Sequence, residues 1–332
     1  MKTGKLNWDD LNQIIKNSTG ALRREVRTGG GVGEDCSIID FGEYDCVLST
    51  DPITGASENA GKLAVNINCN DIASSAAEPL GILVTILAPQ DSTIYEIQKV
   101  MNEIHDECKK LNVQVLGGHT EVTAAVNKMV ISCTVLGKAK SGTAIATSNA
   151  QIGDDIIVTK KLCIEGTSIL VNDYPHKVKN ILSEKEIQEA KSYSEELSVI
   201  KEGIIAGNFG VNCMHDITEG GVLGALWEVA SASRKGFIAY KDNMPVSNIT
   251  RKLCKEFSID PLRFISSGSM LITAKHGEAL LSRLEKEGIS ASIIGKITGD
   301  DKKILADGDI MIQVIPPERD ELFVFEENMK NV

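Results

Sequence analysis

The segment from Leu80 to Leu116 constrains the fold most. Leu80–Ala88 is a nearly unbroken apolar run, the pattern of a buried strand. The clearest helix of the chain follows. Ile94, Ile97, Met101, Ile104, Cys108 and Leu111 recur at spacings of three and four and form one apolar stripe. Thr93 and Glu96 have capping-box spacing, and Lys109 and Lys110 fall in the last turn, where cations suit the helix dipole. Val113–Leu116 then reads as a further strand. Strand, amphipathic helix and strand in direct succession belong to an α/β architecture.

The same alternation extends to both sides. Cys36–Asp40 and Cys46–Thr50 are short strands around a turn at Gly42, and Met129–Leu136 is another strand. Asn59–Ala77 has helical spacing, with Ala60, Ala64, Ile67, Asp71 and Ser74 along one face, and Glu78-Pro79 closes it. Around Gly137–Gly153 the periodicity weakens, which places a boundary between a domain over 1–145 and a second over 150–332. The second series contains a strand at Asp155–Thr159, a long charged helix at Ser183–Ala206, and a strand at Val211–Met214. A helix at Glu219–Arg234, a strand at Ser269–Ala274 and a helix near Gly277–Glu287 come next, then strands near Ala291–Gly295 and Ile310–Ile315.

Composition narrows the function. The chain has 332 residues, 42% of them hydrophobic, and 46 acidic against 35 basic residues leave a net charge of −11. An acidic surface repels phosphate backbones, and 4% aromatics offer little to stack on bases, so no nucleic-acid partner is expected. The N-terminal segment has no apolar signal core and no run of 18 apolar residues occurs, so the expectation is a cytoplasmic protein with no membrane partner. Eight cysteines are scattered without metal-ligand spacing and read as mostly buried free thiols.

Five stretches carry residues suited to chemistry. Gly29-Gly30-Gly31-Val32-Gly33-Glu34-Asp35 is flexible enough to cradle phosphate, although no Gly-Lys-Ser/Thr follows. Ser49-Thr50-Asp51-Pro52 puts hydroxyls and a carboxylate at a strand end, where ligands of α/β folds gather. Asp71, beside Asn70, sits on an apolar helix face with no basic residue one turn away. Buried bare it would cost several kcal/mol, so it must be paired, metal-bound or exposed. Gly117-Gly118-His119-Thr120-Glu121 directly follows the strand Val113–Leu116, and His119 there is a base, a ligand or a structural histidine. His215-Asp216-Ile217-Thr218-Glu219-Gly220-Gly221 follows a strand and opens a helix, whose N-terminus favours anions. Glu34, Asp35, Asp51, Asp71, Asp216 and Glu219 thus recur in glycine-rich or strand-end settings, and oxygen ligands of this kind suit Mg²⁺ bridging to nucleotide phosphates.

With these motifs in this order and spacing over nearly the whole chain, the sequence resembles the PurM-like superfamily. That group includes aminoimidazole ribonucleotide (AIR) synthetase, thiamine-monophosphate kinase, selenophosphate synthetase and the hydrogenase maturation protein HypE. Asp216–Gly221, Ile259-Asp260-Pro261-Leu262 and Ser267-Gly268-Ser269 are most similar to HypE-like AIR synthase-related proteins. The resemblance implies an N-terminal α/β domain that pairs in a homodimer, a C-terminal α/β domain, and bound ATP with Mg²⁺. Carried over by position, Glu34, Asp35, Asp51, Asp71, Asp216 and Glu219 are metal contacts, with Asp71, Asp216 and His119 as catalytic candidates. Lys5, Gly31, Gly33, Thr50, Asn70, Gly117, Gly118, Thr120, Thr218 and Gly220 are nucleotide-contact candidates.

The chain also departs from the pattern. His119 stands where several relatives have an acid, and Glu219 where the kinase has an aspartate. The thioester-dehydrating members end in a cysteine, whereas this sequence ends Asn328-Met329-Lys330-Asn331-Val332 with no cysteine after Cys254, and no early cysteine lies beside Lys5. The expected function is ATP-dependent activation of an amide or carbonyl oxygen, with a maturation protein as a possible partner. A kinase acting on a small molecule and a non-catalytic nucleotide-binding scaffold stay open beside it.

Overall fold

The computed structural model describes residues 4–6, 8–16, 18–54, 59–316 and 319–330. The ends at 1–3 and 331–332, used above for the leader and tail readings, lie outside the described residues. In the first half a helix α1 (Trp8–Lys16) precedes strands β1 (Val26–Thr28), β2 (Ser37–Asp40) and β3 (Tyr44–Ile53). Then come α2 (Ala60–Ser74), β4 (Glu78–Ala88), α3 (Ile94–Leu111), β5 (Gln114–Val122) and β6 (Val130–Lys140). The strands form one sheet in the order β1-β2-β3-β6-β4-β5, and β4 and β5 are parallel across α3, as the Leu80–Leu116 pattern requires.

Helix α3 starts on the predicted capping box of Thr93 and Glu96 and stops at Asn112, which takes the left-handed conformation. Helix α2 stops three residues earlier than its spacing suggests, and Glu78-Pro79 belongs to β4 instead. Its low amphipathicity follows from its place, because α2 is buried on nearly all sides. Ile72 and Cys69 pack into the first sheet's core, and Ala73 joins a core of the second half.

The second half contains β7 (Asp155–Thr159), β8 (Cys213–Ile217), β9 (Gly236–Tyr240), β10 (Ser269–Ala274), β11 (Ala291–Thr298), β12 (Lys303–Asp307) and β13 (Ile310–Gln313). They form a sheet ordered β13-β12-β9-β11-β7-β10-β8. Its helices are α4 (Ile164–Asp173), α5 (Pro175–Val178), α6 (Glu184–Ser192), α7 (Ile200–Phe209), α8 (Gly221–Ala232), α9 (Asn248–Phe257), α10 (Gly277–Lys286) and α11 (Glu321–Lys330). One core joins α4, α8, α9 and α11 to the sheet, and a separate one joins α7 and α10.

The long helix expected over Ser183–Ala206 is broken into α6, a short 3₁₀ turn and α7. Tertiary ties explain the break. Lys160 Nζ donates to the carbonyls of Glu196 and Ser198, and the Asn70 amide pairs with Leu197 O and Val199 N. These ties hold backbone groups of the 196–199 link apart from a continuous helix. They also bind the two halves together at α2. Glycine makes that approach possible: a Cβ on Gly203 would lie 2.3 Å from Ala73 O. Among the described residues no helix is long and apolar enough to cross a membrane. Seven of the eight cysteines are buried and all are free, as expected.

Candidate functional site

A cleft of about 860 Å³ lies between the halves, well within the range of small-molecule sites. The N-terminal segment contributes Lys5 and Trp8, and the glycine-rich stretch contributes Gly29–Gly33, Glu34 and Asp35. Strand β3 supplies Ser49, Thr50 and Asp51, and α2 supplies Asp71. From the second half come His215, Asp216, Thr218, Glu219, Gly220 and Glu228, with Arg319 and Asp320 ahead of α11.

Each acid is held in place by local structure. Asp71 is buried, and Ser49 Oγ donates to its Oδ2 at 2.5 Å. Of the three fates open to it in the sequence, exposure is therefore excluded. Burial pushes its carboxyl well above the usual range, and the neighbouring Asp216, Asp51 and Asp35 push it further. Asp51 follows the same course: burial raises it, Lys5 opposes, and Asp35 and Glu219 add to the rise. Its backbone N–H donates to Asn68 Oδ1 at 2.8 Å, which fixes the end of β3 against α2. Asp216 leaves β8 buried, its carboxyl pushed up to about 7 by burial and by Asp35 against the pull of His215. Its Oδ2 is buried without a hydrogen-bond partner.

His215 makes a bridge that the sequence did not reveal. Its Nδ1 lies 2.8 Å from Asp35 and its Nε2 lies 2.9 Å from Glu228. Burial disfavours the ring's charge, but the two carboxylates outweigh it and hold the imidazole well above its ordinary range. Glu228 stays below its usual range despite burial, through His215 and Lys5. A lone acid in the apolar stretch Leu223–Ala230 was the sequence signal for it. Lys5 stands exposed in the open cleft. The protein crowded about it disfavours its charge, but Glu228, Glu219, Asp51 and Asp216 raise its ammonium above the ordinary range. Asp320, also unforeseen, accepts the N–H groups of Gly220 and Leu322, each at 2.7 Å.

Several expected contacts are elsewhere or engaged. Asn70 does not line the cleft, because both ends of its amide pair with the 197–199 backbone. That tie engages the amide that the resemblance offers as a nucleotide contact. Glu34 lines the cleft, yet its two oxygens accept the N–H groups of Thr147 and Ser148. Gly117, Gly118, His119 and Thr120 do not follow the strand but lie inside β5, exposed on the sheet edge and outside this chain's cleft. There His119 pairs with Glu121 at 2.9 Å. Glycine is demanded at 118, where φ is +150° and a Cβ would lie 1.8 Å from Val84 O. Gly31, Gly33, Thr50, Thr218 and Gly220 all line the cleft.

Two family models match the chain. The AIR synthase related protein N-terminal domain covers residues 33–139 and the C-terminal domain covers 151–308. The chain belongs to the AIR synthase related family. A Methanocaldococcus jannaschii protein, provisionally named for hydrogenase expression and formation, is 28% identical over 89% of this chain and 90% of its own length. Carbamoyl dehydratase HypE of Bradyrhizobium diazoefficiens is 25% identical over 81% and 79%. Three solved structures share the fold. A chain of a HypE–HypF complex superposes with a TM-score of 0.73 at 19% identity, covering 92% of this chain and 99% of that one. AaThiL complexed with AMPPCP and TMP gives 0.71 at 16%, covering 92% and 95%. HypE in complex with ATP gives 0.68 at 18%, covering 94% and 92%. The two-sheet α/β architecture is the expected PurM-like one.

The donor set fits magnesium in one particular way. Among the described residues no three His, Cys, Asp or Glu side chains form a group able to hold a metal alone. Magnesium, however, ordinarily takes one or two carboxylates and completes its shell with phosphates and water. The unpartnered Asp216 Oδ2, beside carboxyls that raise one another, is the arrangement such a shared cation would relieve.

Proposed function

We propose that the chain is an ATP- and magnesium-dependent enzyme that transfers the γ-phosphoryl group to an amide or carbonyl oxygen of a second substrate. The observation that carries this reading is that Asp71, from the first half, and Asp216, from the second, are buried at one cleft, where Asp216 helps to raise the Asp71 carboxyl. An anionic cavity of this kind accepts a triphosphate only together with a divalent cation. The ATP complex of HypE and the AMPPCP complex of AaThiL, both on this fold, support the nucleotide.

Asp71 and Asp216 would hold the magnesium together with the nucleotide's phosphates, with Asp51, Glu219 and Asp35 beside them. Bound there, it would neutralise charge on the transferring phosphoryl group. The chain's own groups position the reactants. Ser49 fixes the Asp71 carboxyl, and Asn68 fixes the backbone at Asp51. Lys5 offers an ammonium to phosphate oxygens, and the glycines at 29–31 let the backbone approach them. Phosphorylating an amide oxygen makes it a leaving group, which is what removal of water from a carbamoyl group needs; the relatives named carbamoyl dehydratase support this choice.

A second reading, a small-molecule kinase, has one observation in its favour. Among the described residues the cysteine lining the cleft is Cys36, whose thiol donates to Asp71 O and is pushed well above its usual range by burial. It offers no thiolate to carry a substrate. The products decide between the readings: ADP with a phosphorylated product marks the kinase, and ADP with free phosphate and a dehydrated or substituted amide marks the first. ATP held without any ADP release would leave only a nucleotide-binding scaffold. Mg²⁺-dependent ADP release that disappears in Asp71→Asn, with the fold retained, is the expected result.

The homodimer belongs to the same proposal. Strand β5 is a sheet edge with Leu116 and Val122 exposed, and Leu83 of β4 is exposed nearby. A second copy covering that edge would bury them and enclose His119 and the glycines at 117–118. A maturation-protein partner is supported by the HypE–HypF complex.

A further inference from the structure

The bridge through His215 is one link of a longer chain of contacts. Asp35, at the end of the glycine-rich stretch, is reached from three elements. His215 Nδ1 of β8 lies 2.8 Å from its carboxylate, Ser74 Oγ of α2 lies 2.9 Å from its Oδ2, and Thr147 Oγ1 lies 3.5 Å from the same oxygen. Ser74 Oγ also lies 2.7 Å from the carbonyl of Asp71, one turn earlier in α2. On the far side of the ring, His215 Nε2 lies 2.9 Å from Glu228 Oε2 of α8. Helix α8 rests against the glycine-rich stretch at the same residue, since a Cβ on Gly33 would lie 3.5 Å from Glu228 O. Contacts thus run without a gap from α2 through Asp35 and His215 to α8. The two carboxylates proposed for magnesium sit on elements that this chain ties together: Asp71 one turn before Ser74, and Asp216 directly after His215.

The ring is 5% exposed, and among the described residues Asp35 and Glu228 are the partners of its two nitrogens. Without an acceptor of the right reach at 228, Nε2 would be buried unpaired, at the desolvation cost of a polar group, and the ring would lose one of the two points that fix its plane. We infer that Glu228 is a positioning residue of the proposed magnesium site: through His215 and Asp35 it sets how far Asp216 stands from Asp71 across the seam. This inference rests on the magnesium–ATP reading above. Glu228 acts without itself holding the ion, as a partner that orients the groups which do. Outer partners of this kind tune metal affinity by about 10–100-fold. What matters in this account is the reach of the 228 side chain to Nε2, since a carboxylate or an amide of that length can pair with the ring.

Two variants of the full chain separate reach from charge. Glu228→Asp keeps the charge but falls one methylene short of His215, and Glu228→Gln keeps the length but not the charge. The readout is the magnesium concentration that half-saturates ATP binding in calorimetry. It should rise at least about tenfold in Glu228→Asp and stay within about threefold of wild type in Glu228→Gln. In a His215→Asn background, Glu228→Asp should add no further loss. A wild-type magnesium requirement in Glu228→Asp, a loss in Glu228→Gln as large as in Glu228→Asp, or losses that add in the double variant would overturn the assignment. So would a lower melting midpoint in Glu228→Asp with its magnesium requirement unchanged, the mark of a merely structural residue. Wild-type chain that takes up no nucleotide with magnesium would overturn the reading beneath it as well, whereas the other contrary results overturn this assignment alone.

Discussion

At the scale of single residues, the site concentrates acids that the unfolded chain would leave apart, and this dictates how variants behave. Asp71→Asn removes a buried charge but keeps a hydrogen-bonding side chain for Ser49. Affinity for magnesium–ATP should fall at least 100-fold, a loss of about 2.7 kcal/mol, while the melting midpoint holds or rises. Calorimetry and a thermal melt check both halves of that expectation. The pH dependence has a definite sign. Asp216 titrates near 7 when folded against 3.8 when free, so the folded chain holds more protons in that window and loses stability as pH rises through it. His215, raised well above 6.5, likewise stabilises at low pH and loses that contribution as pH rises through its folded value. Melts in EDTA should therefore show a lower midpoint at pH 8 than at pH 6. Magnesium–ATP should narrow the gap, and Asp216→Asn should reduce it to the part that His215 contributes.

Among the elements, α1 and α2 are opposites. Helix α1 has no buried residue, and Trp8 rests edge-on against Trp227 with ring centres 4.4 Å apart, at the cleft wall. These are the chain's two tryptophans, so their emission reports on one contact. Magnesium–ATP should change that emission and slow amide exchange in α1, and Trp8→Ala should weaken nucleotide binding severalfold while moving the midpoint by less than about 2 °C. Helix α2 is buried and crowded. Gly203→Ala would drive a methyl into the backbone of Ala73, so a loss of about 2–3 kcal/mol is expected in urea unfolding.

The same contrast explains how much the sequence disclosed. Helix α3 and strand β4 were legible because their apolar periodicity is local, and Asp51, Asp71, Asp216, Glu219 and the glycines because acids at strand ends and in apolar faces are conspicuous. The break between α6 and α7 was hidden because Lys160 and Asn70 impose it from other elements. His215 was visible in its motif, but its bridge joins Asp35, 180 positions away, to Glu228 on the next helix, and no spacing rule encodes that. The stretch 117–121 read as following a strand because glycines usually mark strand ends; here it continues the strand, and at 118 the neighbour passes too closely for a side chain.

For the whole molecule, net charge and exposed apolar edge act together. A chain of −11 gathers carboxylates from both halves at one cleft, and leaves Leu116 and Val122 uncovered on β5. Sedimentation should give twice the 35.8 kDa chain mass, and Leu116→Lys should return the chain mass itself without unfolding. The nucleotide claim has its most direct test in calorimetric titration of ATP into the wild-type chain, once with magnesium and once with EDTA. The account predicts saturable binding with magnesium and none with EDTA; equal binding in both, or no binding with magnesium, would contradict it.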